Sequence, residues 1–215
     1  DIIKLSILIL SIPSRLHFLK PLMEKLERQI GDRGDVEILS LMDNKSLHIW
    51  EKRNELMKIA RGSHLTWLDD DDDVNDNYVS KLTETIHKNP NVDVISFDQM
   101  CYLNGGEMRV FAEMGNPHEN VGLDPNNPTK YRDTLRPPYH WCCWKTSLAS
   151  SEAFKASCGM VRDGVLLTSP GNVGQSTEDF EWLKRLYPKV KESIYLKGFY
   201  LHIYRYSTTI SESSL

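Results

Sequence analysis

The sequence predicts an α/β fold with a mainly parallel, Rossmann-like sheet flanked by helices. Three observations carry that prediction. Across the first hundred residues, apolar strands and amphipathic helices alternate three times, a pattern that requires right-handed crossovers and a helix-covered parallel sheet. The first strand candidate is an apolar run of the kind a strand buried on both faces shows. The polar clusters follow the strands directly, at the carboxyl ends where open α/β sheets bind ligands.

Each element has its own signal. Leu5 to Leu10 is an uninterrupted apolar run, closed by Pro13. Leu16 to Ile30 places Leu19, Leu22, Met23, Leu26 and Ile30 at helical spacing, and Gly31 and Gly34 stop it. Val36 to Met42 is a second strand, ending at Asp43-Asn44-Lys45, and a helix from about Leu47 to Ala60 follows. His64 to Leu68 is a third strand that runs straight into Asp69 to Asp73. Asp76 to Lys88 is a third helix, stopped by Asn89-Pro90, and Val92 to Phe97 a fourth strand.

After residue 100 the alternation stops. Cys101 to Leu103, Gly105-Gly106 and Met108 to Ala112 predict a hairpin. Residues 115–138 are rich in Asn, Pro and Gly, show no period, and predict a long loop. Trp141 to Phe154 predicts a short strand and a helix, Asp179 to Tyr187 a helix, Ile194 to Tyr206 one or two strands, and Ser207 to Leu215 a frayed tail. The expectation is a single domain, with a ligand-binding half in residues 1–100 and a smaller mixed region in 101–215.

Composition narrows the function. A chain of 215 residues suits one domain with one core. A net charge of -4 and a pI of about 6.0 argue against a general nucleic-acid binder. Cys101, Cys142, Cys143 and Cys158 include no CxxC pair, which argues against a zinc knuckle; reduced, partly buried thiols suit a reducing compartment. Ile7 to Ile12 is too short to span a bilayer and lacks a signal-peptide cleavage site, so no membrane span and a soluble, cytoplasmic protein are expected. Trp50 and Trp67 fall on core positions of a helix and a strand.

The acidic run Asp69 to Asp73 is the chemically loaded feature. Five adjacent aspartates repel one another, and at a strand end facing a cleft the natural relief is Mg²⁺ or Mn²⁺, which favours carboxylate oxygens and keeps positions open for phosphate. A solvated acidic turn capping the next helix is the plain alternative. An EF-hand starting at Asp73 fails, because Tyr78 stands where the sharp turn needs Gly.

In order and spacing, Lys52-Arg53-Asn54, Ala60-Arg61-Gly62 and Leu68-Asp69-Asp70-Asp71-Asp72 resemble the Arg-Asn, Ala-x-Gly and Leu-Asp-x-Asp series of GT-A glycosyltransferases, family 2 in particular. Ser11 to Arg15, Asp43, Thr177-Glu178-Asp179 and Tyr204-Arg205 with Ser211 resemble further elements of that family. The likeness extends to the amino-terminal domain of a chlorella-virus glycosyltransferase. It departs from the family pattern in lacking Asp-Gly-Ser in the second loop and any recognisable acceptor motif in the middle region.

The resemblance implies a GT-A fold and transfer of a hexose from a nucleotide sugar, UDP-linked, to a glycan hydroxyl, with inversion favoured and Mn²⁺ or Mg²⁺ as cofactor. It implies donor contacts from Pro13, Ser14, Arg15, Asp43, Arg53, Asn54, Asp69 and Asp70. Asp71 would be the principal metal ligand, with Asp69, Asp72 and His202 beside it. Asp179, in the Glu178-Asp179 element, would be the general base; an Asp before a helix is also an ordinary cap. Asp70 and Asp73 also read as merely solvated. His140 and Trp141 are acceptor-side candidates, since Trp faces stack on sugar rings and His bonds hydroxyls. Lys130, Arg132 and Arg136 read as a solvated loop face within reach of a diphosphate. Three alternatives stay open: a retaining enzyme on the same fold, a non-catalytic metal- or glycan-binding module, and a sugar nucleotidyltransferase, whose Gly-rich basic loop is missing here.

Overall fold

The computed structural model describes residues 2–156, 161–162, 165–166 and 178–206. The element order opens β1 (Leu5–Ser11), α1 (Leu16–Ile30), β2 (Val36–Met42), α2 (Ile49–Ile59), β3 (His64–Asp69), β4 (Asp73–Val74), α3 (Tyr78–Lys88), β5 (Val94–Leu103). It continues β6 (Gly106–Ala112), β7 (Leu123–Asp124), β8 (Asn127–Tyr131), β9 (Thr134–Arg136), β10 (Cys143–Lys145), α4 (Thr146–Ala149). The two-residue strands β11 (Val161–Arg162) and β12 (Val165–Leu166), then α5 (Glu178–Leu186) and β13 (Ser193–Tyr206), complete it.

The main sheet runs β2-β1-β3-β10-β5-β13-β4, with β6 and β9 joined beyond β5. This is the Rossmann-like GT-A arrangement of a curled sheet flanked by helices, largely but not wholly parallel. β1 pairs in parallel with both β2 and β3, and every residue of β1 is buried, as its largely apolar sequence favours. The consecutive β3 residues Thr66 and Trp67 point to opposite faces. Thr66 bonds Tyr78 of α3 on one side; Trp67 packs edge-on against Phe154 and under Arg53 of α2 on the other. Helices therefore cover both faces. α1 buries Leu19, Leu22 and Leu26 along one stripe and holds α3 through Gln29, which accepts from the Val79 amide.

Gly62, in the turn entering β3, is required by close approach. A Cβ there would stand 2.6 Å from the Ser6 amide nitrogen and 2.7 Å from the His64 carbonyl oxygen. The β5–β6 hairpin turns at Asn104-Gly105, both at positive φ, the chemistry a tight hairpin demands.

The structure departs from expectation in the long middle segment, in the place of the strand after Trp141 and at Trp50, and it resolves the last strand region as one strand. Residues 115–138 are not an unstructured loop: β7 and β8 pair, and β9 adds in parallel to β6. The short strand after Trp141, β10, inserts antiparallel between β3 and β5, so the third and fourth strands of the alternation are not neighbours. Residues 193–206 form one strand, β13, interrupted by register shifts between Leu196 and His202. Trp50 is only half-buried, whereas Trp67 and Trp144 are fully buried. Cys101, Cys142 and Cys143 are free and buried; Cys158, Thr177, Ser211 and the predicted tail lie outside the described residues. No helix among the described residues is long and apolar enough to cross a membrane.

Candidate functional site at the acidic strand end

β1 and β3 end side by side, with Leu10 opposite Asp69, so the chain beyond β3 folds over the turn beyond β1. Asp70 is fully buried there. Its Oδ2 accepts from the Ser11 hydroxyl at 2.7 Å and its Oδ1 from Arg15 Nε at 2.7 Å. Arg15 Nη2 also reaches Asp71 Oδ2 at 2.7 Å. Burial raises the Asp70 carboxyl above its ordinary range, against the pull of Arg15 and Ser11. Asp70 is thus not solvated, and Arg15 turns its guanidinium to the acidic run rather than outward. Asp73 is also engaged, by Lys25 at 2.9 Å and Arg205 at 3.4 Å. Pro13 and Ser14 stay exposed on the turn.

The far half of the run meets the last strand. β4 pairs antiparallel with β13, setting His202 opposite Val74. His202 Nε2 lies 2.8 Å from Asp72 Oδ2, which also accepts from the Asp69 amide at 3.0 Å. Gln99 Nε2 lies 2.7 Å from His202 Nδ1; with the amide nitrogen as donor, the ring proton sits on Nε2, toward Asp72. Trp141 stacks on the His202 ring at 5.1 Å and 5°. Asp72 is 7% exposed, and its second oxygen, Oδ1, is buried without a hydrogen-bond partner. Burial, offset by His202, raises its carboxyl.

A second charged array approaches from α2 and α5. Arg53, stacked over Trp67 and Phe154, points Nε to Glu178 Oε1 at 3.4 Å and Nη2 to Asp69 Oδ1 at 3.7 Å. Its Nη1 is buried without a hydrogen-bond partner. Glu178 is 3% exposed, and burial pushes its carboxyl up to about 7 against the Arg53 charge. Burial also raises Asp179, but the His140 ring, Arg53 and the Phe180 amide outweigh it and hold Asp179 below the ordinary range. His140 Nδ1 stands 2.9 Å from Asp179 Oδ2.

Between these arrays opens a cavity of about 290 Å³. Asp69, Asp72, His140, Trp141 and His202 form its polar wall, and Leu103, Met108 and Val110 form its apolar floor. Gln99, Cys101, Val121, Arg136, Tyr139 and Tyr204 complete it. Arg136, read from sequence as a solvated loop residue, is half-buried here over the Tyr139 ring, while Lys130 and Arg132 remain exposed. Gln99 and Tyr139 carried no sequence signal, since they reach the cavity only through strand pairing and a turn.

Asp43, Asn54 and Asp71 do not line this cavity. Asp43 accepts from Ser46 and the Leu47 amide and is paired with buried Lys52, which together overcome its burial and bring its carboxyl down to about 2. Asn54 has both amide atoms engaged by the Phe154 backbone at 2.8 Å, so it anchors a loop. Asp71 faces Arg15 and a groove beside Phe18 and Lys25, and is not part of the cavity wall.

No group of three or more His, Cys, Asp or Glu side chains among the described residues is arranged to hold a metal. The unpartnered, buried Asp72 Oδ1, beside Asp69, offers the hard carboxylate oxygens a divalent cation favours; His202 would join them with its ring proton moved to Nδ1 and the Gln99 amide turned to accept it.

No family model matches the chain, and no curated protein is significantly similar to it. The fold is shared with solved structures. S. aureus TarS matches with TM-score 0.61 and 14% identity, over 95% of this chain and 37% of that one. S. aureus TarS 1–349 in complex with UDP matches with TM-score 0.63 and 14% identity, over 95% and 61%. The same protein in complex with UDP-GlcNAc gives 0.59 and 12%, over 95% and 59%. At such identity the likeness shows the fold alone, and it does not bear on a viral origin. The chain spans less than two thirds of each of these structures.

Proposed function

We propose that this chain is a metal-dependent glycosyltransferase that moves a hexose from a UDP-linked sugar to a hydroxyl of a glycan acceptor, with inversion. The observation that carries the reading is one cavity wall. At the end of β3 it joins Asp69, Asp72 and His202, with the buried Asp72 Oδ1 unsatisfied, and the negative Asp179 lies just behind it. TarS, which shares the fold, binds UDP and UDP-GlcNAc.

Asp69, Asp72 and His202, with Asp71 turned from Arg15, would hold Mn²⁺ or Mg²⁺. When bound, the cation offsets charge building on the departing diphosphate. Arg53, with Nη1 unpartnered and Nη2 near Asp69, would supply a guanidinium suited to a nucleotide's oxygens. Asp179, kept ionised at the amino end of α5, supplies the negative charge that draws the acceptor proton. Direct displacement from that side inverts the anomeric centre. Trp141 and Tyr139 line the same cavity, where aromatic rings suit a sugar.

The test is a panel of nucleotide sugars with and without Mn²⁺, scored for binding and for UDP release onto glycan acceptors. The expected outcome is Mn²⁺-dependent binding and turnover with a UDP-sugar. Binding without turnover on any acceptor would favour the non-catalytic module, and a product that keeps the donor's anomeric configuration would favour the retaining mechanism.

A further inference from the structure

The reaction proposed above needs a group that takes the proton from the acceptor hydroxyl, and the structure puts an imidazole where the family resemblance puts a carboxylate. His140 is part of the cavity wall beside Asp69, Asp72 and His202; Asp179 and Glu178 are not. Asp179 lies behind the ring, with Oδ2 at 2.9 Å from His140 Nδ1 and Oδ1 accepting from the Phe180 amide at 2.7 Å. Oδ1 is therefore engaged, and Oδ2 stands within ion-pair distance of the ring. The ring is tilted off the line of a straight N–H···O bond, as is common in a site without its substrate. His140 meets Asp179 through Nδ1, lies against the Tyr139 ring and is within electrostatic reach of Glu178.

We propose that His140 is the catalytic base of this site and Asp179 its positioning carboxylate, a pairing that rests on the glycosyl-transfer reading. As the acceptor oxygen bonds to the anomeric carbon, its proton passes to His140 Nε2. The bond from that carbon to the diphosphate oxygen breaks, and its electron pair leaves with the nucleoside diphosphate. Nε2 then releases the proton to solvent. Asp179 keeps the other ring proton on Nδ1 and stabilises the imidazolium, the division of labour of a hydrolase His-Asp pair.

The test uses the whole chain with a UDP-sugar that supports turnover, and reads kcat, UDP affinity and thermal melting for His140→Ala, His140→Gln, Asp179→Asn and Asp179→Gly. His140→Ala is expected to lose about 10²–10⁴ in kcat, to keep its UDP affinity, and to regain part of its activity when imidazole is added to the buffer. Asp179→Asn is expected to lose activity without rescue by imidazole. If His140→Ala does not fold, His140→Gln, which preserves bulk, carries the same kcat comparison. Two results overturn the pairing alone: parental turnover in His140→Gln, or rescue of Asp179→Gly by formate while imidazole leaves His140→Ala inactive. If the parent chain transfers no sugar at all, the glycosyl-transfer reading fails and the pairing falls with it.

Discussion

Arg15 and Asp70 are joined at a single oxygen: Arg15 Nε and Nη2 both lie 2.7 Å from Asp70 Oδ1. Both side chains are buried, and a third contact runs from Nη2 to Asp71. The pair ties the end of β3 to the turn after β1, so it sets where the acidic run begins.

Removing one member of this pair leaves the other charged and buried. Arg15→Ala and Asp70→Ala are each expected to cost about 3–5 kcal/mol, the usual penalty for breaking a buried ion pair. Urea denaturation of each variant measures it. A loss under about 1 kcal/mol would show that the pair behaves as an exposed one does.

Glu178 makes stability depend on pH in a defined direction. Below its ordinary value of 4.5 the carboxyl is protonated in folded and unfolded chains alike. Between 4.5 and about 7 the unfolded chain releases a proton that the folded chain keeps, so stability falls as pH rises through that window. Glu178→Gln should flatten this part of the profile, by on the order of 3 kcal/mol between the two limits. Identical profiles for variant and parent would place Glu178 in contact with water.

The cation reading is checked without any turnover. Mn²⁺ at about 100-fold above its dissociation constant should stabilise the parent by about 2.7 kcal/mol, and EDTA should reverse it. Asp72→Asn and His202→Ala should abolish the shift. A parent indifferent to Mn²⁺ removes the cation from the proposed function.

Much of this layout is legible in the sequence because burial on two faces leaves a plain mark. β1 and β3 are mostly apolar runs that end at Ser11 and Asp69. The stripe Leu19, Leu22 and Leu26 foretells the buried side of α1. The strands in residues 115–138 leave no such mark, since β7 and β8 are short, exposed and interrupted by Asn and Pro, and only β6 gives β9 a partner. The acidic run was legible as a cluster but not residue by residue. Asp70 and Asp72 are buried on different partners, 55 residues away in Arg15 and 130 away in His202. Spacing along one strand end carries no record of which way each carboxylate turns.

The partners of the acidic run divide by the time of their synthesis. Arg15 and Lys25 precede the aspartates, so Asp70, Asp71 and Asp73 meet cationic neighbours as soon as the first strand–helix unit folds. His202 and Arg205 emerge about 130 residues later, on a strand that must slot between β5 and β4. Such long-range pairing is the slow part of folding. The nascent chain therefore carries a closed clamp and a half-built site for most of its elongation. Translation halted before β13 leaves β5 without a neighbour along the whole of one edge, an invitation to pair with another unfinished chain.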